Sequence, residues 1–240
     1  ATVPLKFTEL TGPVDLTLRA TVSSPDKSEV SNQTVVHVHP AAYYVGLRPQ
    51  SVFVGSNSAV DCKVLAIDPE GTAQPGRKIE VELMRHEYHS VRRQNGNATT
   101  WVSQVKDIPV DKASLTSAAS QQSVRLKTAG PGLYLLRARS RDAAGRVAET
   151  TTSLYCHGEG SAGWSLKDER LQLVADKRSY KPGETVRLAI SSPFPKARLL
   201  VTVEREGILE RYVTEIQGGA PVVEVPVRED YAPNVYISVA

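Results

Sequence analysis

The 240-residue chain has little of several things that usually announce a function. It contains two cysteines, one methionine, two tryptophans and three phenylalanines. Two cysteines are too few for a disulfide framework or a zinc site. No run of about 18 apolar residues is present, which excludes a transmembrane helix. The start at Ala1 has neither the basic nor the apolar region of a signal peptide, as expected of a processed secreted protein or an excised fragment.

An excess of charge of one sign is also missing. The chain has 29 Lys and Arg against 26 Asp and Glu, which gives a formal net charge of +3. No stretch of the sequence concentrates this charge, so we predict no nucleic-acid partner. Hydrophobic residues make up 40% of the chain, enough for a packed core, and the length suits roughly two domains.

Short strand patterns are abundant instead. Residues 60–66, 79–83 and 124–127 alternate apolar and polar side chains with period two, and Gly, Pro, Asn or Asp bound most such runs. The nearest approach to a helix, residues 113–123, is too polar to bury a face. Strands without intervening helices predict an all-β protein of tandem immunoglobulin- or fibronectin III-like antiparallel β-sandwiches. The alternation places a set of side chains inward: Val60, Val64, Ile79, Val81, Leu83, Tyr134 and Leu136.

A loose internal repeat sets the register of these sandwiches. Residues 12–20, 130–138 and 232–240 each form a tight turn that feeds a strand, and they lie about one sandwich unit apart. Tyr134 and Tyr236 occupy the position of a tyrosine corner, in which a buried hydroxyl bonds back to the backbone.

The repeat divides the chain into three parts. Residues 1–40 are predicted to be the last three strands of one unit, 41–158 a complete unit, and 159–240 a unit that lacks its last strand. The complete unit is predicted to be a seven-stranded sandwich over residues 45–156.

Two histidine pairs are weighed as sites. His37 and His39 stand at i and i+2 on a strand and share a face, but no third metal ligand is close in sequence. His86 and His89 bracket Glu87 in what we predict to be a polar loop after Leu83. We interpret both pairs as structural and predict no metal, no cofactor and no catalytic site.

The cysteines give a second set of candidates. Cys156 and His157 are sequence neighbours on a strand and should point to opposite faces, which spoils a nucleophile–base pair. Cys62 lies in the second strand of the complete unit and Cys156 at the end of its last strand. They can form one disulfide in an oxidising compartment. The alternative is two separate thiols, one buried as a small apolar residue.

One polar stretch is a candidate for cleavage by proteases. Residues 91–98 contain Arg92, Arg93 and a turn at Asn95 and Gly96. We interpret this stretch as the tip of a long hairpin within the complete unit.

The third segment resembles the bacterial alpha-2-macroglobulins. The resemblance rests on ADKRSYKPGETV at 175–186, SSPF at 191–194, LVTVEREGIL at 200–209 and APNVY at 232–236. Residues 39–47, HPAAYYVGL, resemble that family's junction between neighbouring domains. The resemblance implies macroglobulin domains ahead of the bait-region segment, with the bait beyond Ala240.

The resemblance also implies a function. Family members are large periplasmic inhibitors in which a protease cuts the bait, the domains rearrange and the protease is trapped. The resemblance implies that the partners of this chain are the neighbouring macroglobulin domains, the target proteases and periplasmic cell-envelope proteins. It also implies inner-membrane association through the parent protein. Neither Cys62 nor Cys156 stands in the thioester motif Cys-x-Glu-Gln of one branch. The alternative is a bacterial adhesin or cell-surface stalk of repeated sandwiches.

Overall fold

The computed structural model describes residues 10, 12–95, 98–160, 162, 171–192, 194 and 196–240, and for 89–95 and 98–103 it describes the backbone. Within these residues the chain forms sixteen β-strands and one short 3-10 turn. The all-β class predicted from the period-two patterns is confirmed. None of the described segments is a helix with the length and apolar character needed to cross a membrane.

The first part of the chain is an antiparallel hairpin. Strands β1 (Val14–Ser23) and β2 (Glu29–Val38) pair along their whole length. The turn between them is closed by Asp26, which accepts a hydrogen bond from the Ser28 backbone N–H at 3.1 Å. A third strand would fall on residues 1–13, most of which lie outside the described residues.

The complete unit is a sandwich of two facing sheets. Its strands are β3 (Tyr44–Pro49), β4 (Phe53–Gly55), β5 (Ala59–Ile67), β6 (Lys78–Asn95), β7 (Ala98–Thr116), β8 (Gln122–Lys127), β9 (Gly132–Arg141) and β10 (Val147–His157). One sheet has the order β4-β10-β9-β6-β7 and the other β3-β5-β8. The predicted seven strands become eight because the first strand splits. Pro49 ends β3 at a sheet edge, where its missing N–H is tolerated, and the chain continues as β4, parallel to β10 in the other sheet.

The predicted core of this unit is confirmed. All seven side chains predicted to face inward are at most 2% exposed. Tyr43, which the sequence patterns did not single out, joins them at 1%. Its hydroxyl donates to the Arg141 carbonyl at 2.8 Å and bonds the Ser140 hydroxyl at 2.7 Å, so the buried phenol has partners.

The tyrosine corner is present in one of its two predicted places. The Tyr134 hydroxyl donates to the Gly130 carbonyl at 2.7 Å and accepts from the Ala129 N–H at 3.2 Å. The prediction for Tyr236 is wrong, since this side chain is 69% exposed. On its strand Ile237 and Val239 turn inward instead, so the alternation is shifted by one residue relative to the repeat.

The third part is a smaller sandwich. Its strands are β11 (Gln172–Ala175), β12 (Thr185–Ser191), β13 (Lys196–Glu204), β14 (Ile208–Gln217), β15 (Val222–Pro226) and β16 (Tyr236–Val239). They form the sheets β11-β12-β15 and β14-β13-β16. In the complete unit β9 has β10 on its outer side, whereas β16 has no outer neighbour among the described strands.

The sequence at 175–186 is a tightly bonded connection between β11 and β12. The Tyr180 hydroxyl donates to the Asp176 carboxylate at 2.7 Å and accepts from the Lys177 N–H at 2.9 Å. Gly183 adopts φ +87°, which a side chain would disfavour, and Glu184 closes the turn by accepting from the Lys181 N–H at 2.8 Å. These residues, which carry part of the family resemblance, therefore stabilise a turn.

Strands β6 and β7 form an arm that extends beyond the sandwich. β6 pairs with β9 only as far as His86, whereas its pairing with β7 continues to Asn95 opposite Ala98. The outer nine residues of β6 are therefore two-stranded over about 30 Å. The predicted hairpin is present as far as Asn95 and Ala98, while Gly96 and Asn97 at its tip lie outside the described residues. The polar loop predicted for His86 and His89 is wrong, because both stand on β6.

The arm should be the first site of limited proteolysis. A two-stranded ribbon without further support opens locally at low free energy, and its tip offers trypsin Arg92 and Arg93. We expect the first nick there, identified by mass spectrometry of the fragments. The variant R92Q/R93Q should lose this nick, while a first cut within β13 would contradict the fold.

The two tyrosines of the repeat offer a matched test of the core. Tyr134→Phe removes a buried hydroxyl that makes two backbone hydrogen bonds, and it should lower the free energy of unfolding by about 1–2 kcal/mol. Tyr236→Phe removes an exposed hydroxyl and should change it by less than about 0.5 kcal/mol. Urea denaturation measures both, and equal effects would contradict the tyrosine corner.

Candidate functional site at the joint between the two sandwiches

The two cysteines are separate buried thiols in the structure. Cys62 on β5 and Cys156 on β10 belong to the same core, and the expected disulfide between them is not formed. Burial raises the pKa of the Cys62 thiol to about 11 and also raises that of Cys156. Both side chains therefore pack as small apolar residues, the alternative weighed from the sequence, and neither is an activated nucleophile.

The histidines contact separate partners. His37 lies 2.5 Å from the Asp15 carboxylate, and His39, just past the end of β2, bonds the Tyr44 hydroxyl. His86 pairs with Asp107 across the arm at 2.7 Å. Within the described part of the chain, no three His, Cys, Asp or Glu side chains gather as they would around a metal ion.

The neighbours Cys156 and His157 do point to opposite sides, as predicted. Leu154 and Cys156 enter the core of the complete unit. Tyr155 and His157 face outward, where Tyr155 bonds the third unit and His157 stacks on Phe53. The end of β10 thus lies at a contact between the complete unit and the third unit, which the sequence analysis missed. We call this contact the joint.

The centre of the joint is a small apolar cluster shared by the two sandwiches. It is formed by the buried residues Phe53, Tyr155, Ala162, Ala189 and Ala220. Two aromatic rings come from the complete unit, and the chain after it offers three alanines whose small side chains allow close approach. Burying such a mixed cluster removes apolar surface of both units from water at once, which favours their association.

Hydrogen bonds cross the joint at main-chain atoms. The Tyr155 hydroxyl donates to the Ile190 carbonyl of β12 at 2.6 Å. The Gly158 N–H donates to the Ala220 carbonyl at 3.2 Å, and next to it the Gly219 N–H donates at 2.9 Å to the carbonyl of Gly160, in the segment that connects the two sandwiches. A Cβ atom on Gly219 would lie 2.9 Å from the Ala162 nitrogen, so glycine is needed for this approach.

Phe53 is held by groups from both units. The His157 ring stacks on it with centroids 4.7 Å apart, and the Tyr155 ring lies nearly parallel at 6.2 Å. The Arg187 guanidinium of β12 sits 5.5 Å from the Phe53 centroid and 3.5 Å from the Glu224 carboxylate. Burial, and then the charge of Arg187, lower the pKa of His157, so the neutral ring is the form that fits.

These groups are arranged to couple two bodies. Interfaces between domains are usually small and permit relative motion. Here an apolar cluster, a cation–π contact and hydrogen bonds to backbone atoms act together, and they fix both distance and direction. The sequence holds one local signal of the joint, the small-residue run Gly218, Gly219 and Ala220 before β15.

Two family models match the chain on either side of the joint. Residues 46–156 match the model described as bacterial macroglobulin domain 6, and residues 171–240 match the alpha-2-macroglobulin bait region domain. The third part of the chain is thus the part that matches the bait-region domain model.

Individual proteins that match this chain are also named as alpha-2-macroglobulins. An alpha-2-macroglobulin homolog of Nostoc sp. is 28% identical over 228 residues, which cover 94% of this chain and 12% of the relative. One of Deinococcus radiodurans is 26% identical over 172 residues, covering 70% and 16%. The native conformation of E. coli alpha-2-macroglobulin matches with a TM-score of 0.44 and 19% identity, covering 95% and 15%. The chain spans about an eighth of the length of the Nostoc relative, and it belongs to the bacterial alpha-2-macroglobulin family.

Proposed function

We propose that the chain is a non-catalytic structural module of a bacterial alpha-2-macroglobulin-like protease inhibitor, which traps proteases in the periplasm after its bait is cut. The observation that carries this proposal is the joint. It couples the unit that matches the bait-region model to the unit that matches a macroglobulin domain.

The joint gives the proposed role a physical basis. In a trap, a cut in the bait has to move domains that the protease does not touch. A movement of the third unit that displaced β12 would pull on the hydroxyl of Tyr155 and on the ring of Phe53. Both side chains stand on strands of the five-stranded sheet, so the complete unit would follow as one body.

The side chains with reactive groups support a scaffold role. Cys156 is buried in the core, and His157 is stacked against Phe53 with a lowered pKa. The partners of such a module are the neighbouring macroglobulin domains of the parent chain and the target proteases, with periplasmic cell-envelope proteins beyond them.

The proposal is tested on the full-length protein that contains this chain. Incubation with an endopeptidase should give a complex that cleaves a small chromogenic peptide but no longer cleaves a large protein substrate, because the enzyme is enclosed. If protein and peptide cleavage stay equal while the inhibitor is cut, the module does not belong to a trap.

A variant of the joint separates coupling from cleavage. Tyr155→Ala in the full-length protein should leave the bait cleavable and reduce the protection of the protein substrate, by about tenfold if the lost contacts are worth about 1.4 kcal/mol. Tyr236→Ala, an exposed tyrosine of the same chain, is the matched control and should trap normally. Equal trapping by the two variants would show that the joint transmits nothing.

Acidification should loosen the joint. The folded pKa of His157 lies below the value of about 6.5 expected in the unfolded chain. The stabilisation is therefore complete above that value and is lost as the pH falls from it through the folded pKa. Glu159 and Glu215 line a cleft together with His157. The Arg187 guanidinium and the His157 ring both contact the ring of Phe53.

The measurement is the unfolding midpoint in urea between pH 7.5 and pH 5. His157→Gln should flatten the pH dependence in this window. His37→Gln, in the hairpin outside the two sandwiches, should leave it in place. A dependence that persists unchanged in His157→Gln would assign the titration to another group.

A further inference from the structure

The outer face of the three-stranded sheet β3-β5-β8 carries a concentration of positive charge. We call it the basic face, and its charged residues are Arg48, Lys63, Arg125, Lys127 and Asp61. On these three strands four cations stand against one carboxylate, and the carboxylate of Asp111, from β7, lies beside Lys127 and accepts from its N–H at 2.7 Å. The cations come from three strands, so no stretch of sequence shows the cluster.

The one carboxylate of the face is already engaged. Asp61 stands opposite Arg125, which donates to its two oxygens at 2.7 and 3.1 Å. This bidentate pair lowers the pKa of Asp61, so the carboxylate stays ionised and bound to one partner. It does not neutralise the other cations.

Two of the other cations, Arg48 and Lys63, lie close together without an acidic partner. Arg48 and Lys63 are directly opposite each other in the register of β3 and β5, and neither has an ion pair among the described residues. Like charges in directly opposite positions destabilise a sheet. Arg48 and Lys63 also line an open cleft of about 500 Å³, together with the Asp61–Arg125 pair and the polar Gln50 and Ser123. The face thus offers unpaired charge around a space that a ligand can enter.

We propose that the basic face docks an extended acidic segment of a partner protein. Charge complementarity is the basis, since a carboxylate placed between Arg48 and Lys63 would relieve their repulsion and bond both. An extended acidic segment has the right period. Carboxylates at alternate positions of a strand lie about 6.6–6.8 Å apart, the same separation as Arg125 and Lys127 on β8.

The flanking residues favour a protein over other polyanions. Gly46, Gln50 and Ser123 lie beside the cations and are small or polar. Strands β3, β5 and β8 expose no large hydrophobic side chain, which a protein inserting into a membrane surface would use. The one aromatic residue of these strands, Tyr44, is half-buried and bonded to His39, so it offers no free ring face on which the bases of a single-stranded nucleic acid could stack.

The test is fluorescence anisotropy with the 240-residue chain and a labelled dodecapeptide of alternating Glu and Ser. We expect saturable binding that weakens as salt is added, and none to the matching Gln and Ser peptide. The variant R48Q/K63Q should bind about tenfold more weakly. The control K196Q/R198Q removes two exposed cations from β13 and should bind within about twofold of the wild type. Equal melting temperatures of the two variants establish that both are folded.

Each other outcome overturns the proposal. Absence of binding to the acidic peptide, or equal weakening by the two variants, would show that the basic face is not the docking site. Vesicles with anionic lipids and a single-stranded oligonucleotide are tested in parallel. If either binds the face as tightly as the peptide does, the surface attracts polyanions in general and the assignment to an acidic protein fails.

Discussion

The alternation of side chains along β10 is the constraint on which the arrangement of the two sandwiches depends. Successive residues of a strand point to opposite faces, so a strand whose two faces are both covered must satisfy two sets of neighbours. At the end of β10, Leu154 and Cys156 complete the core of one sandwich, while Tyr155 and His157 contribute to the contact with the next. A shift of register by one residue would exchange these roles and disrupt both at once.

The same constraint explains what the sequence could and could not reveal. Period-two patterns located the inward side chains from Val60 to Leu136, because burial of one face leaves a local signature. The corner at Tyr134 was equally local, since its hydroxyl bonds to residues four and five positions earlier. Residues 175–186, which carry part of the family resemblance, are local in the same sense, because their hydrogen bonds join residues within one turn.

Features that depend on pairing between distant segments were missed. The splitting of the first strand follows from the parallel approach of β4 to β10, about a hundred residues later. The hairpin at residues 91–98 was predicted, but the strand that leads to it through His86 and His89 was not, because a polar strand beyond a sandwich looks like a loop in a single sequence. The basic face combines cations from β3, β5 and β8, so a search for charge runs passes over it. Tyr236 shows the limit of repeat arguments, because the turn was matched correctly while the register of the strand after it was not.

The outer edge of β16 has a consequence for the isolated chain. Among the described strands, β16 has no outer neighbour, so a row of backbone N–H and C=O groups faces outward. Open edges of this kind recruit extended segments of other molecules, and proteins limit the hazard with short edge strands. β16 has only four residues, and Pro233, which lacks an N–H, precedes it closely. The third sandwich therefore remains open to the addition of a strand while offering little length for self-association into sheets.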